Sequence, residues 1–290
     1  MEAAMSNLVL NTFTSFSFIC YPKDLKEAAA ADLNAAKFHI YMIIRIPKIS
    51  IDSNSLKVFR SHIELVLKFK TDFGTFNETI KCQFCDRDHT MFNYEIDKLG
   101  KTLKIKDGTA EFTFRALFLQ GEFSKPIPAE VLYIGRAYGK NGNRTAFDRL
   151  KSHESLQRIL ADHTYEEVIG DIAIALFEIN AKLIGEFIDM TNPSEDLFNL
   201  ESVLLLKNPI AMNQVINITE AALINFFKPK YNDILKNNFP DKTHTSYNES
   251  FKLRYTSVTV EVDQETLNIK LFTKHNKYNP YDLITYVLTP

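Results

Sequence analysis

The stretch VLYIGRAYG at residues 131–139 decides the reading of this chain. Val131, Leu132, Tyr133 and Ile134 form an apolar, partly β-branched run of the kind that packs on a pleated surface, so a strand is expected there. Strand alternation puts Tyr133 on the same face as Val131, two residues back. Gly135 has no Cβ, which permits a tight turn or the close approach of a phosphate. Downstream, TAFDRLKSHESLQRIL at 145–160 predicts a helix whose apolar stripe includes Phe147, Leu150, Leu156, Ile159 and Leu160. Arg149 and His153 are four residues apart in it and are expected on one helix face. Arg149 suits a phosphate because its planar fork donates two parallel hydrogen bonds and stays charged at any working pH. In TEAALINFFKPKYN at 219–232, a second helix is expected to begin with Glu220 and to lead into Tyr231 and Asn232.

Taken in this order, the three pieces resemble the catalytic core of the GIY-YIG nucleases over residues 111–245. In members of that family a Glu opens a helix and a Pro-basic-Tyr-Asn run follows, matched here by Glu220 and by Pro229, Lys230, Tyr231 and Asn232; KNNFP at 236–240 resembles the continuation. The resemblance implies a small sheet with packed helices and a Mg²⁺-dependent (or Mn²⁺-dependent) endonuclease. Glu220 would hold the metal, Tyr133 would act as base or water-positioning group, Arg149 as phosphate clamp, His153 as accessory acid or base, and Asn232 as a residue that orders the site. Substrate contacts would come from Gly135, Arg136, Lys140, Arg144, Lys151, Arg158, Lys228, Lys230 and Asn232. One carboxylate suffices for Mg²⁺, which keeps most of its waters.

The chain departs from the family pattern where a first Tyr is expected on the strand before YIG. That strand is read as EFTFRALFLQ at 111–120, with Ala116, Leu117 and Phe118 in the Gly-Ile-Tyr positions, so Phe118 keeps the ring and loses the hydroxyl. Tyr138 is a candidate to supply that hydroxyl from the loop side. The insertion GKNGNRT at 139–145 makes Arg144 a rival to Arg149.

Each residue also has a plainer reading. Glu220, three after Asn217, fits the acidic position of a helix capping box. Tyr133 fits a core strand tyrosine, Arg149 and His153 a solvated helix face, and Pro229 a helix stop. Cys82, Cys85 and His89 in CQFCDRDH are spaced like half of a zinc site, but the one remaining cysteine is Cys20 and no second pair follows; the alternative is a strand, TIKCQF, turning at DRD.

With 290 residues, 45% of them hydrophobic, the chain can bury a sizeable core and is expected to divide into parts. No apolar run approaches the ~18 residues of a membrane helix, so no membrane association is expected. The N-terminal MEAAMSNLVLNTFTSFSFIC lacks a basic n-region, so no signal peptide is expected. Three cysteines form no disulfide framework, in keeping with a reducing cytoplasm. The formal net charge of -2 argues against a uniformly basic DNA binder. Residues 136–158 differ: six basic side chains stand against Asp148 and Glu154, which predicts a basic cleft on a neutral body.

The expected organisation is an α+β protein, with a β-rich accessory region over 1–110, the nuclease-like core over 111–245 carrying an insertion near 181–215, and a β-hairpin region over 246–290 that could pack with the N-terminal region as one accessory domain. Residues 21–36 are expected to be helical, 171–179 a third core strand, 192–206 an inserted helix, and SFKLRYTSVTVEV with ETLNIKLFT a hairpin across Asp263 and Gln264. The expected substrate is DNA, in restriction or antiphage defence, with a homodimer or a protein partner engaged through the β-rich region. The competing reading is a catalytically degenerate module that binds nucleic acid or protein.

Overall fold

The computed structural model describes residues 3–30, 36–108, 110–119, 126–137, 146–150, 153–189, 203–206, 210–276 and 283–288. The fold is mixed α+β, organised by one curled sheet. Two strands precede a long β-rich insertion: β1 (Ala3–Cys20) and β2 (Ile40–Ile46). The insertion holds β3 (Lys48–Ile51), β4 (Lys57–Val58), β5 (Ile63–Thr71), β6 (Gly74–Cys82), β7 (Asn93–Ile96), β8 (Thr102–Asp107) and β9 (Ala110–Arg115). The main sheet resumes with β10 (Ile127–Arg136), β11 (Asp171–Asp189), β12 (Val203–Leu206), β13 (Ser257–Glu261), β14 (Ile269–Phe272) and β15 (Leu283–Val287). Its order is β14-β10-β2-β11-β1-β13-β15, with β12 paired to β11.

Strand β2 lies inside this sheet, between β10 and β11, and its sequence IYMIIRI is apolar almost throughout because both of its faces are covered. Ile40, Met42, Ile44 and Ile46 enter one core, and Tyr41 and Ile43 enter the other. The first core is closed by helix α4 (Met212–Phe227), which contacts β10, β13 and β15, so the sheet curls around it. That explains why α4 is apolar on nearly every side, with nine of its sixteen residues buried. The second core is covered by α1 (Leu25–Ala30), α2 (Ala146–Leu150) and α3 (Glu154–Tyr165) through Leu25, Phe147, Leu150, Leu156 and Ile159.

The boundaries expected from sequence are not where the sheets divide. Strands β1 and β2 hydrogen-bond directly into the sheet that carries β10 and β11, so residues 1–110 are not a separate unit. The inserted sheets, β3-β5-β4 with β6 and β7-β8-β9, place Ile49, Leu65, Leu67, Leu103 and Ile105 in the same core as α4. The C-terminal hairpin also does not form. Strand β13 lies parallel to β1 and β14 parallel to β10, toward opposite edges of the sheet. Alternation in SVTVE and IKLF marks strands without specifying their partners.

Local expectations change as well. Residues 111–120 give β9, paired with β8, and then a 3-10 turn at Ala116–Phe118, so this segment does not neighbour the Tyr133 strand. Phe118 stacks on Phe18 of β1 with ring centroids 6.5 Å apart. Residues 22–24 form a 3-10 turn before α1. Residues 203–206 of the expected inserted helix are strand, and its residues 192–202 lie outside the described ones. Among the described residues no helix is long and apolar enough to cross a membrane.

Since α4 is the plug of the curled sheet, truncating its fully buried Ile216 to Ala should destabilise the protein by about 2–5 kcal/mol. Urea denaturation measures this; a loss under about 1 kcal/mol would contradict the enclosed position of α4.

Candidate active site

Strands β2 and β10 pair antiparallel with Gly135 opposite Tyr41 and Tyr133 opposite Ile43. The register shifts between Val131 and Tyr133, a β-bulge that inserts Leu132 as an extra residue. Simple alternation fails at this point. Val131 faces the core of α4, whereas Leu132 and Tyr133 both pack on the opposite side with Tyr41. The bulge therefore turns the Tyr133 phenol toward α2 and α3. Gly135 serves a close approach, as expected, but the group that approaches is the phenol of Tyr41: a Cβ at 135 would lie 2.5 Å from Tyr41 Cζ and Oη and 2.8 Å from Tyr133 Cε1.

The expected single helix over 145–160 is two helices meeting near His153. His153 is the N-cap of α3, and its Nδ1 accepts from the backbone N–H of Leu156 at 3.2 Å. Arg149 and His153 thus converge across a helix junction and do not share one helical face. Burial and the nearby Arg149 hold the His153 pKa below its ordinary value, so the ring is neutral at pH 7. With Nδ1 accepting, the proton of the neutral ring is on Nε2, which donates to Tyr41 Oη at 2.8 Å. Arg149 Nε donates to the same oxygen at 3.2 Å. Tyr41 Oη is therefore filled as an acceptor, and its own hydroxyl is free to donate to Tyr133, which also takes a hydrogen bond from Ser155. Those two bonds favour the Tyr133 phenolate, against burial and the Glu220 charge, which together raise its pKa.

Glu220 lies in the interior of α4, eight residues past Met212, and not at the start of a helix. This overturns the capping-box reading, because α4 begins after Ala211 and Asn217 instead donates its side-chain amide to Ser246 O at 2.6 Å. The Glu220 carboxylate is 14% exposed and pairs with Arg136 Nε at 3.2 Å. It also accepts from the Arg136 backbone N–H. Burial raises its pKa to about 6, while Arg136 and Arg149 pull in the other direction. Its charge is felt by Tyr41, Tyr133 and Arg149, which places these groups and Arg136 in one electrostatic environment.

Asn232 is buried, and its amide clamps Ile134 between Tyr133 and Gly135. Oδ1 accepts from Ile134 N–H at 2.9 Å, and Nδ2 donates to Ile134 O at 2.8 Å. Together with the Tyr231 N–H bond to Leu132 O at 3.0 Å, this fastens the KPKYN segment along the bulged part of β10. Arg158 and Lys230 lie 5.4 and 5.1 Å from the centroid of the Tyr231 ring, and Lys230 also pairs with Glu166 at 3.2 Å. Lys228, the left-handed C-cap of α4, reaches Asn237 Oδ1 at 3.3 Å. Tyr138, Lys140, Arg144 and Lys151 lie outside the described residues.

Sequence reasoning missed Tyr41 and Ser155. The signal for Tyr41 was the HIY triplet at 39–41, within the region expected to be β-rich and separated from YIG by the long insertion. Cys82 sits in the α4-side core with its thiol pushed up to about 11 by burial, unlike Cys85 and His89, which line a separate pocket. Among the described residues no cluster of three or more His, Cys, Asp or Glu side chains could hold a metal.

Comparison with family models, with curated proteins and with solved structures gave no match.

The Glu220 pKa is raised from 4.5 to about 6, so its effect on stability is fully present below 4.5 and is lost as pH rises through about 6. Arg136→Ala removes the larger of the two opposing positive influences and should move that titration higher still. A ¹³C NMR titration of the Glu220 side chain reads it; a midpoint that stays or falls would contradict the ion pair.

Proposed function

We propose that this protein is a GIY-YIG-type endonuclease that hydrolyses phosphodiester bonds in DNA with the help of a single Mg²⁺ or Mn²⁺. The observation that carries the reading is the second tyrosine. Tyr41 in HIY and Tyr133 in YIG stand on adjacent antiparallel strands, with Arg149 and His153 on the Tyr41 oxygen and Glu220 nearby. These are the residue types the resemblance calls for, and Tyr41 takes the place that sequence alone assigned to Phe118. The degenerate, noncatalytic alternative depends on Phe118 and loses its main support.

The residues fit a hard divalent cation. Glu220 offers a carboxylate at the margin of the core, and the Arg136 guanidinium already occupies the place of a positive charge against it. Arg136 is 39% exposed, so it has room to swing away. A bound Mg²⁺ would supply charge stabilisation to the phosphoryl oxygens. The chain's own groups do the rest. Arg149, partly buried and permanently charged, binds the phosphate. Tyr133 holds the attacking water and, as phenolate, takes its proton while the water oxygen bonds to phosphorus; the P–O bond to the leaving oxygen breaks, and that oxygen takes a proton from solvent. With the Glu220 charge offset, the Tyr133 hydroxyl loses the repulsion that resists deprotonation, and the Tyr41 and Ser155 donors stabilise its oxygen. His153, neutral and fixed by Leu156, orients Tyr41. Arg158, Lys228 and Lys230 lie on the flanking surface, where they track phosphates by charge. Restriction or antiphage defence is the proposed setting, by analogy with the combination of a nuclease-like site and an idiosyncratic insertion. Breaking both strands would require a second copy or a second turnover.

Nicking of supercoiled plasmid DNA tests the reading. The wild-type chain should nick in Mg²⁺ or Mn²⁺ and stop in EDTA. Glu220→Gln, which keeps volume but removes the charge that holds the cation, should lower the rate by at least about a hundredfold while DNA binding survives. A wild type that nicks with neither cation, or a Glu220→Gln variant that nicks equally well, would contradict the proposal.

A further inference from the structure

The insertion between the two tyrosine strands carries a cavity of its own. Its volume is about 360 Å³, and Phe84, His89, Phe92, Tyr94, Phe112 and Phe114 supply much of its lining. These walls come from sheet register. Tyr94, Ile105 and Phe112 are cross-strand neighbours on β7, β8 and β9, and Phe114 stands two residues from Phe112 on the same face. Phe84 stacks on Phe114 with ring centroids 4.8 Å apart and planes 30° apart. Phe112 is 53% exposed at the mouth, and Arg87 pairs with Asp107 at the rim at 2.8 Å. His89 is 1% exposed and contributes to the wall. Its Nδ1 is bonded to Tyr94 Oη at 2.9 Å, yet among the described residues its Nε2 has no hydrogen-bond partner. A buried polar atom without a partner is costly, and a ligand atom that meets it removes that cost.

We propose that this pocket receives a single unpaired nucleobase, an inference that rests on the nucleic-acid reading of the protein. Flat aromatic walls take the π-face of a base, and the His89 edge supplies a polar contact to its hydrogen-bonding edge. According to how the His89–Tyr94 bond is oriented, Nε2 is a donor or an acceptor, and base edges carry partners for both. Arg87 at the rim suits the phosphate that accompanies the base. The insertion leaves the main sheet after β2 and returns to it at β10, so the base-reading pocket is tethered to both tyrosine strands.

The test uses the full chain carrying Glu220→Gln, in EDTA so that no strand is cut. Fluorescence anisotropy compares a labelled single-stranded oligodeoxynucleotide with an abasic strand of the same length. The base-bearing strand should bind more tightly, and Phe112→Ala should weaken it by about tenfold while leaving the abasic strand unchanged. Phe112 is half-exposed, so this variant keeps its fold; His89→Phe should reduce discrimination among homopolymers of the four bases. Equal effects of Phe112→Ala on both strands, or no effect on either, would overturn the pocket. So would Phe112 and Tyr94 ring resonances that shift with a hydrophobic peptide and stay unmoved by free nucleosides. Failure of the nuclease reading looks different: the wild-type chain would not nick plasmid DNA, whereas base-dependent binding through Phe112 would persist.

Discussion

The pairing of β2 with β10, and the bulge at Leu132 within it, is the constraint on which the rest of the site depends. In a regular strand that kept Leu132 in the ladder, Tyr133 would share the face of Val131 and enter the core around α4. With the bulge, two tyrosines from distant parts of the chain share the face covered by α2 and α3. The absence of a side chain at Gly135 lets the Tyr41 phenol cross the neighbouring strand. Asn232 then holds Ile134 by both of its backbone groups, replacing the hydrogen bonds that a further strand would have made there.

The electrostatics follow from this geometry. Two arginines, a neutral imidazole and a nearly buried carboxylate surround two phenols, and each group's titration depends on its neighbours. Burial acts most strongly on Tyr41, Tyr133, His153 and Glu220 alike, favouring their neutral forms. Arg136 and Arg149 offset that preference at Glu220. A carboxylate desolvated by burial and paired with one displaceable guanidinium suits, on the proposed reading, an exchange of that partner for a metal cation.

Much of the local chemistry was legible in the sequence. YIG, Arg149, His153, Glu220 and the KPKYN run each marked a residue that the fold brings to one region, although Arg149 and His153 meet across a helix junction and not on the one helix face that their spacing implied. What could not be read was long-range pairing. Tyr41 and Tyr133 are brought together by the β2–β10 register, and the intervening insertion shifted attention to Phe118, whose preceding strand pairs with β8. Periodicity also could not reveal the Leu132 bulge, because one extra residue reverses the faces of a strand without changing its composition. The break between α2 and α3 was similarly silent, since His153 as an N-cap looks like any polar residue within a helical pattern. The C-terminal strands were recognised, but alternation carries no information on which edge of a sheet each will join.

The most direct measurement of the central claim is the cleavage rate of Tyr41→Phe beside that of Phe118→Tyr. If the Tyr41 hydroxyl links His153 and Arg149 to Tyr133, its removal should slow cleavage by about a hundredfold or more with the fold intact, and Phe118→Tyr should leave the rate unchanged. Cleavage by Tyr41→Phe at the wild-type rate would contradict the account.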